Sequence, residues 1–383
     1  MTTTRSRASA LVTALIALVG FRLSTETVGL VAAYRGRAVG RVFHHPGSLA
    51  VIWRQWDVGW FARIATQGYP ASANVRGFHG EHFDGTAFPP AMPVLMAAGR
   101  AVGVDPSLAG LLVSTLFLFV ALALLFRLVR LDHPDGVARW TLAFLLVYPF
   151  ALFLGTAYAE ALVLMATVAA WLAARGGRWW VAGVMVGVAL LGKIVFIVLL
   201  VPLSLEAVGW DGRFRVQLDR PAALRLLRLW LPALAALGAW MLYLGIQFHE
   251  PTRFLSAQRG WGRAVGLPFG QVADIFRPAV HLGIRLSYAI DTLALVDLVA
   301  MTVYVYRRVR PAYAALLAVI AAIFLFNTSL QSNARHLGIL FPIFIGLAVM
   351  TQGRRWVRVV LVAVQLPIAA LAVARFATGQ WAG

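Results

Sequence analysis

Residues 181–208 read VAGVMVGVALLGKIVFIVLLVPLSLEAV. The run is long enough to cross a bilayer once, which takes about 20 apolar residues. A single crossing would carry the following loop, WDGRFRVQLDRPAALRLLR, outside. That loop holds Arg213, Arg215, Arg220, Arg225 and Arg228 against only Asp211 and Asp219. Arginines of short loops collect on the cytoplasmic side. Gly192-Lys193 interrupts the run near its middle. Two shorter helices meeting at that break return the arginine loop to the cytoplasm and lift Lys193 toward the outer side. The sequence therefore predicts a broken hairpin here.

The rest of the chain is read outward from that hairpin. Upstream, the first span covers about 8–32, an uncleaved segment with Arg5 and Arg7 before it, which places the N-terminus in the cytoplasm. A long external segment follows at 33–87. Within it Ile52, Trp56, Trp60, Phe61 and Ile64 recur at helical spacing, the pattern of an amphipathic helix lying in the interface. AFPPAMPVLMAAGRAVG, 87–103, is short and proline-rich and reads as an interfacial or re-entrant helix. Spans follow at about 107–128, 140–155 and 161–174. Downstream of the hairpin, spans cover about 229–246, 282–306, 312–326, 337–350 and 357–374, with external loops at 247–275 and 327–336. The expected fold is an all-α polytopic membrane protein in one domain, 1–383, with about eleven transmembrane or re-entrant helices. The C-terminus then lies outside.

Composition agrees. Hydrophobic residues make up 61% of the 383, above the roughly half found in soluble domains. No polar stretch is long enough for a separate soluble domain of about 50 residues. The net charge is +19, and Lys193 is the only lysine among 34 basic residues, so 34 − 1 = 33 are arginines. Their concentration in short loops between apolar spans argues for membrane topology rather than nucleic-acid binding. Cysteine is absent, which excludes disulfides, thiolate catalysis and cysteine–metal sites. Walker A, GxSxG and HExxH patterns, and a GxGxxG after a strand, do not occur.

Several residues carry candidate chemistry. Asp57 stands alone among Trp53, Trp56, Trp60 and Phe61 in WRQWDVGWFARIATQGYP, residues 53–70. An acid at an interface can take a proton from an alcohol. A helix cap, or a partner for Arg54 or Arg63, is the plainer reading. His79, Glu81, His82 and Asp84 cluster in HGEHFDG, where a solvated turn, a substrate-contacting loop or a metal site are the alternatives. No metal is expected. Glu160, after TAY at the outer end of a span, could bind sugar hydroxyls, hold an arginine or cap its helix. Lys193 inside an apolar run suits a lipid phosphate, or simple snorkelling. Arg335 and His336 close the 327–336 loop, and Arg259 and Arg263 flank Trp261. Arginine binds phosphate bidentately, although any of these could merely anchor to headgroups.

Six blocks appear in order along the chain: WDVGWFARIATQGYP, AFPPAMPVL, YPFALFLGTAYAEALVL, WWVAGVMVGVALLGK, FHEPTRFLSAQRGWGR and SNARHLGILFPIF. Together they resemble the bacterial PIG-V-like family, relatives of the eukaryotic GPI second mannosyltransferase among the GT-C membrane glycosyltransferases. Here AFPP stands for the family's AFFP, YAE for its commoner YTE, and Lys193 where it often has arginine. The resemblance implies a GT-C fold in the plasma membrane, with its site on the extracytoplasmic side. It implies inverting transfer of mannose from a polyprenyl-phosphate donor to an acceptor hydroxyl, without a cofactor or a required metal. Asp57 would be the catalytic base. Lys193, Arg335, Arg259, Arg263 and His336 would receive the donor phosphate. Trp56, Trp60, Glu81, Asp84, Tyr158, Glu160, Gln258 and Trp261 would contact substrate. The acceptor would be a glycolipid, a lipoglycan or a protein. The alternatives are a transporter or flippase of a lipid-linked sugar, for which paired broken helices in two related halves would be expected, and a non-catalytic subunit that only binds a lipid.

Overall fold

A backbone inside hydrocarbon has no water to bond, so its N–H and C=O groups must pair within their own segment, and a helix does this. The computed structural model describes residues 2–35, 52–69, 82–212, 219–380 and 382, and is helical on that account. Glu81 and His79, singled out above, lie outside the described residues. An isolated β-bridge pairs Val265 with Asn327. The chain runs through α1 (Thr2–Arg35), α2 (Asp57–Gln67), α3 (Ala91–Ala101), α4 (Pro106–Val129), α5 (Asp135–Val147), α6 (Glu160–Arg175), α7 (Trp179–Gly192) and α8 (Leu200–Ala207). It continues through α9 (Arg220–Phe248), α10 (Arg253–Ser256), α11 (Phe269–Asp274), α12 (Leu282–Arg308), α13 (Pro311–Leu325), α14 (Asn333–Leu337), α15 (Phe341–Met350) and α16 (Arg355–Ala377). Among the described residues five helices are long and apolar enough to cross a membrane: α4, α9, α12, α16 and Ala8–Arg35 of α1. The others that the sequence marks as spans are shorter.

Two compact units form. The first comprises Met1–Thr66, Met92–Leu172 and Phe344–Gly383. In it α1 packs on α4 and α16. The helix expected from Ile52 begins instead at Asp57, because Trp56 has φ 56° and cannot be helical. Val58, Phe61 and Ile64 form its buried face. The span expected over 140–155 stops at Val147. Tyr148 precedes Pro149, whose ring disfavours helix at the residue before it, and Tyr148 is extended. A 3₁₀ turn, Ala151–Leu154, follows. Buried Tyr158 sits among Phe61, Phe153 and Phe376, and Trp53 stacks on Phe376.

The second unit comprises Gln67–Ala91 and Ala173–Ile343. The predicted hairpin is present, and its contacts with α9 show the reversal. Going up α7, Gly183 lies against the Leu229 carbonyl, Gly187 against Ala236, and Leu191 and Ile194 against the cluster of Trp240 and Leu244. Coming back down α8, Ser204 accepts a hydrogen bond from the Trp230 indole (2.9 Å) and the Ala207 carbonyl accepts one from Arg225 (3.0 Å). A 3₁₀ segment, Ile194–Leu199, makes the bend, with Lys193 in extended backbone at its start. Asp219 caps α9 by accepting from the Ala222 N–H at 2.7 Å, a contact that contributes about 1 kcal/mol. Arg310 holds Glu206 through two hydrogen bonds of 2.6 and 3.1 Å, tying the end of α8 to the start of α13.

Candidate active site

In the first unit the site is built around the turn before α2. Trp56 takes the left-handed conformation with φ 56°. For a residue with a Cβ this costs about 1–2 kcal/mol. One hydroxyl spans the strained residue: Tyr158 Oη donates to the Gln55 carbonyl and accepts from the Asp57 N–H, each at 3.3 Å. Both neighbours of Trp56 are thus fixed from the buried YAE segment. The turn leaves the Trp56 ring 45% exposed and puts Asp57, half-buried, at the first position of α2. A carboxylate there meets the positive end of the helix dipole. Trp60 lies one turn on, half-buried.

A second layer supports this turn. Glu26 of α1 accepts from the Trp53 indole at 2.9 Å and pairs with Arg22. Arg22 also donates to the Gly155 carbonyl. One half-buried ion pair therefore joins the segment before Asp57 to the loop before Tyr158. Glu160 is buried in the first turn of α6, where the dipole again favours an acid.

In the second unit the cations gather at the hairpin bend. Lys193 Nζ lies 3.4 Å from His336 Nε2. His336 Nδ1 is 2.7 Å from the Ser332 carbonyl, which can only accept, so Nδ1 carries the proton and Nε2 is left as an acceptor toward the lysine. Desolvation, and then the charges of Lys193, Arg335 and Arg263, hold the His336 pKa well below the usual histidine range. The resemblance implies that His336 receives the donor phosphate; here its ring lies beside the Lys193 amine with a lowered pKa. Arg335 is 5% exposed on the short helix α14, with Arg263 in the same electrostatic neighbourhood. Arg259, by contrast, is exposed.

The remaining candidates form a tightly bonded loop layer in this unit. Asp84 accepts from the Thr86 N–H (2.8 Å) and hydroxyl (2.9 Å) and pairs with Arg253 at 2.8 Å. Gln258 donates to the Ala87 carbonyl (3.3 Å) and accepts from Arg263 (3.2 Å). Trp261 packs between Phe83 and Phe88. An ideal Cβ on Gly260 would lie 2.5 Å from the His82 carbonyl oxygen, so the two loops approach as closely as glycine permits. Among the described residues no three metal-ligating side chains cluster.

No protein-family model matches the chain, and no curated protein sequence matches it. Solved structures resemble it distantly. ArnT from Cupriavidus metallidurans bound to undecaprenyl phosphate is 15% identical over 94% of this chain and 76% of that one, with a TM-score of 0.48. The oligosaccharyltransferase of Archaeoglobus fulgidus in the apo form is 14% identical over 94% of this chain and 56% of that one, with a TM-score of 0.44. AglB from Archaeoglobus fulgidus in complex with an inhibitory peptide and a dolichol-phosphate is 13% identical over 97% of this chain and 56% of that one, also at 0.44. This chain spans little more than half the length of those two. Similarity at this level fixes neither fold family nor activity.

Residues that sequence reading passed over also carry structure within each unit. Arg22 and Glu26 sit four apart in the first span, and Asp291 sits inside α12. Charged residues within apolar spans are costly and tend to have partners. That rule, applied to these positions as it was to Lys193, would have marked them.

Proposed function

We propose that this chain is a GT-C-type glycosyltransferase that moves a sugar from a polyprenyl-phosphate donor to an acceptor hydroxyl at the extracytoplasmic face of the membrane. Mannose is the sugar that the PIG-V-like resemblance implies. The observation that carries the reading is the cation group at the hairpin bend, Lys193 oriented by a neutral His336, with Arg335 and Arg263 nearby. Such a group suits a phosphate held at a lipid-accessible protein.

In this reading Asp57 takes the proton of the acceptor hydroxyl. The acceptor oxygen forms a bond to the sugar C1 from the face opposite the phosphate. The C1–O bond to phosphate breaks, and the phosphate leaves with the electron pair. Its charge grows along the path, so fixed cations stabilise the transition state more than the ground state. The exposed Trp56 ring and Trp60 offer surfaces for a sugar or lipid, and buried Tyr158 acts by holding Asp57.

The test is transfer from polyprenyl-phosphate mannose by purified protein, comparing wild type with Asp57→Asn. The substitution should lower turnover by about 10²–10⁴-fold, the range of a lost general base, with donor binding retained. Normal turnover by the variant would remove Asp57 from the chemistry.

A further inference from the structure

Asp291 lies well inside the apolar helix α12 and is 2% exposed. Its carboxylate does not meet a cation of its own helix. Instead Oδ2 accepts from the Ser332 N–H (3.2 Å) and Oδ1 from the Ala334 N–H (2.9 Å), and the Asn333 N–H also bonds it. These amides open α14, the five-residue helix that carries Arg335 and His336. α14 has no side-chain cap from its own N-cap residue, Ser332, which takes the left-handed conformation at φ 69°. A helix this short does not hold itself together. An acid from another helix does the capping.

The chain of contacts continues from there to the cations. Ser332, fixed through its N–H, uses its carbonyl to orient the His336 ring, and the ring's Nε2 faces Lys193. We propose, on the reading given above, that Asp291 is a positioning residue for phosphate binding: it locks α14 so that Arg335 and, through Ser332 and His336, Lys193 are held ready for the donor headgroup. Its burial supports this. A carboxylate in an apolar span is costly unless fully hydrogen-bonded, and here every bond it is seen to make goes to the opening of α14.

The experiment uses the full chain in detergent micelles with undecaprenyl phosphate as probe. Binding affinity and amide hydrogen exchange over 332–337 are measured for wild type, Asp291→Ala, Asp291→Asn and Asp297→Ala, the last removing another acid of α12. Asp291→Ala should weaken binding about 10–100-fold, the scale of a misplaced binding group, and accelerate exchange at 332–337. Asp291→Asn keeps one carbonyl acceptor and should fall between, which also serves if the alanine variant does not fold. Asp297→Ala should change neither readout. Wild-type affinity in Asp291→Ala overturns the proposal, even if exchange accelerates. If wild type itself does not bind the lipid phosphate, the transferase reading fails, and the exchange data alone decide whether Asp291 holds α14.

Discussion

At the scale of single residues, the turn at Trp56 is the feature with the clearest physical signature. A left-handed tryptophan persists only where its surroundings over-determine it, and Tyr158 supplies that from both sides. Removing the hydroxyl with Tyr158→Phe deletes two hydrogen bonds of about 0.5–1.5 kcal/mol each while leaving the aromatic packing against Phe61, Phe153 and Phe376. Turnover should fall about tenfold as Asp57 loses its fixed position, with a smaller loss of thermal stability. Unchanged turnover would make the hydroxyl a packing detail. Sequence could point to Asp57 and to the YAE segment separately. It could not pair them, because the link joins residues about a hundred positions apart and runs through a backbone conformation that tryptophan rarely adopts.

At the scale of elements, the hairpin of α7 and α8 was legible because two independent signals agreed. The arginines of the next loop demanded a return to their side, and Gly192-Lys193 supplied the break. Helix ends were read less well where a local rule acted against periodicity, as Pro149 does for α5 and Trp56 for α2. The pairing of α7 with α9 depends on a small residue. An ideal Cβ on Gly183 would lie 2.4 Å from the Leu229 carbonyl oxygen and 2.8 Å from that of Arg228, both backbone atoms that cannot rotate away. Gly183→Ala should therefore push the helices apart and destabilise the protein by about 1–3 kcal/mol, seen as a lower thermal unfolding midpoint. Gly238→Ala, on α9 with open space around it, should be neutral or stabilising by up to about 1 kcal/mol. Equal midpoints for the two variants would contradict the close packing.

At the scale of the whole molecule, the net charge of +19 grows further as histidines protonate in acid. His336 adds a specific term. Its pKa is lowered in the folded protein by desolvation and by Lys193, Arg335 and Arg263. Above about pH 6.5, the ordinary histidine value, both folded and unfolded chains leave it neutral and it contributes nothing. Below that, the unfolded chain binds a proton that the folded one refuses, so stability falls as pH drops. His336→Gln, with no titrating group, should show a shallower loss of thermal midpoint between about pH 6.5 and 5 than wild type. Parallel curves would mean that the ring is charged in the folded state. The cation group was only half legible for the same reason. Lys193, Arg335 and Arg263 announce themselves by type and position, and Asp291 stands out as an acid in an apolar span, whereas the neutrality of His336 and the link from Asp291 to α14 arise from tertiary contacts alone.

The bend between α7 and α8 has one more consequence. It carries the only side-chain amine in the chain. Acylation by an amine-directed reagent therefore modifies that bend and, besides it, nothing but an α-amino terminus. A single mass increment on one peptide then reports how well a bound headgroup shields the site, with no engineered label.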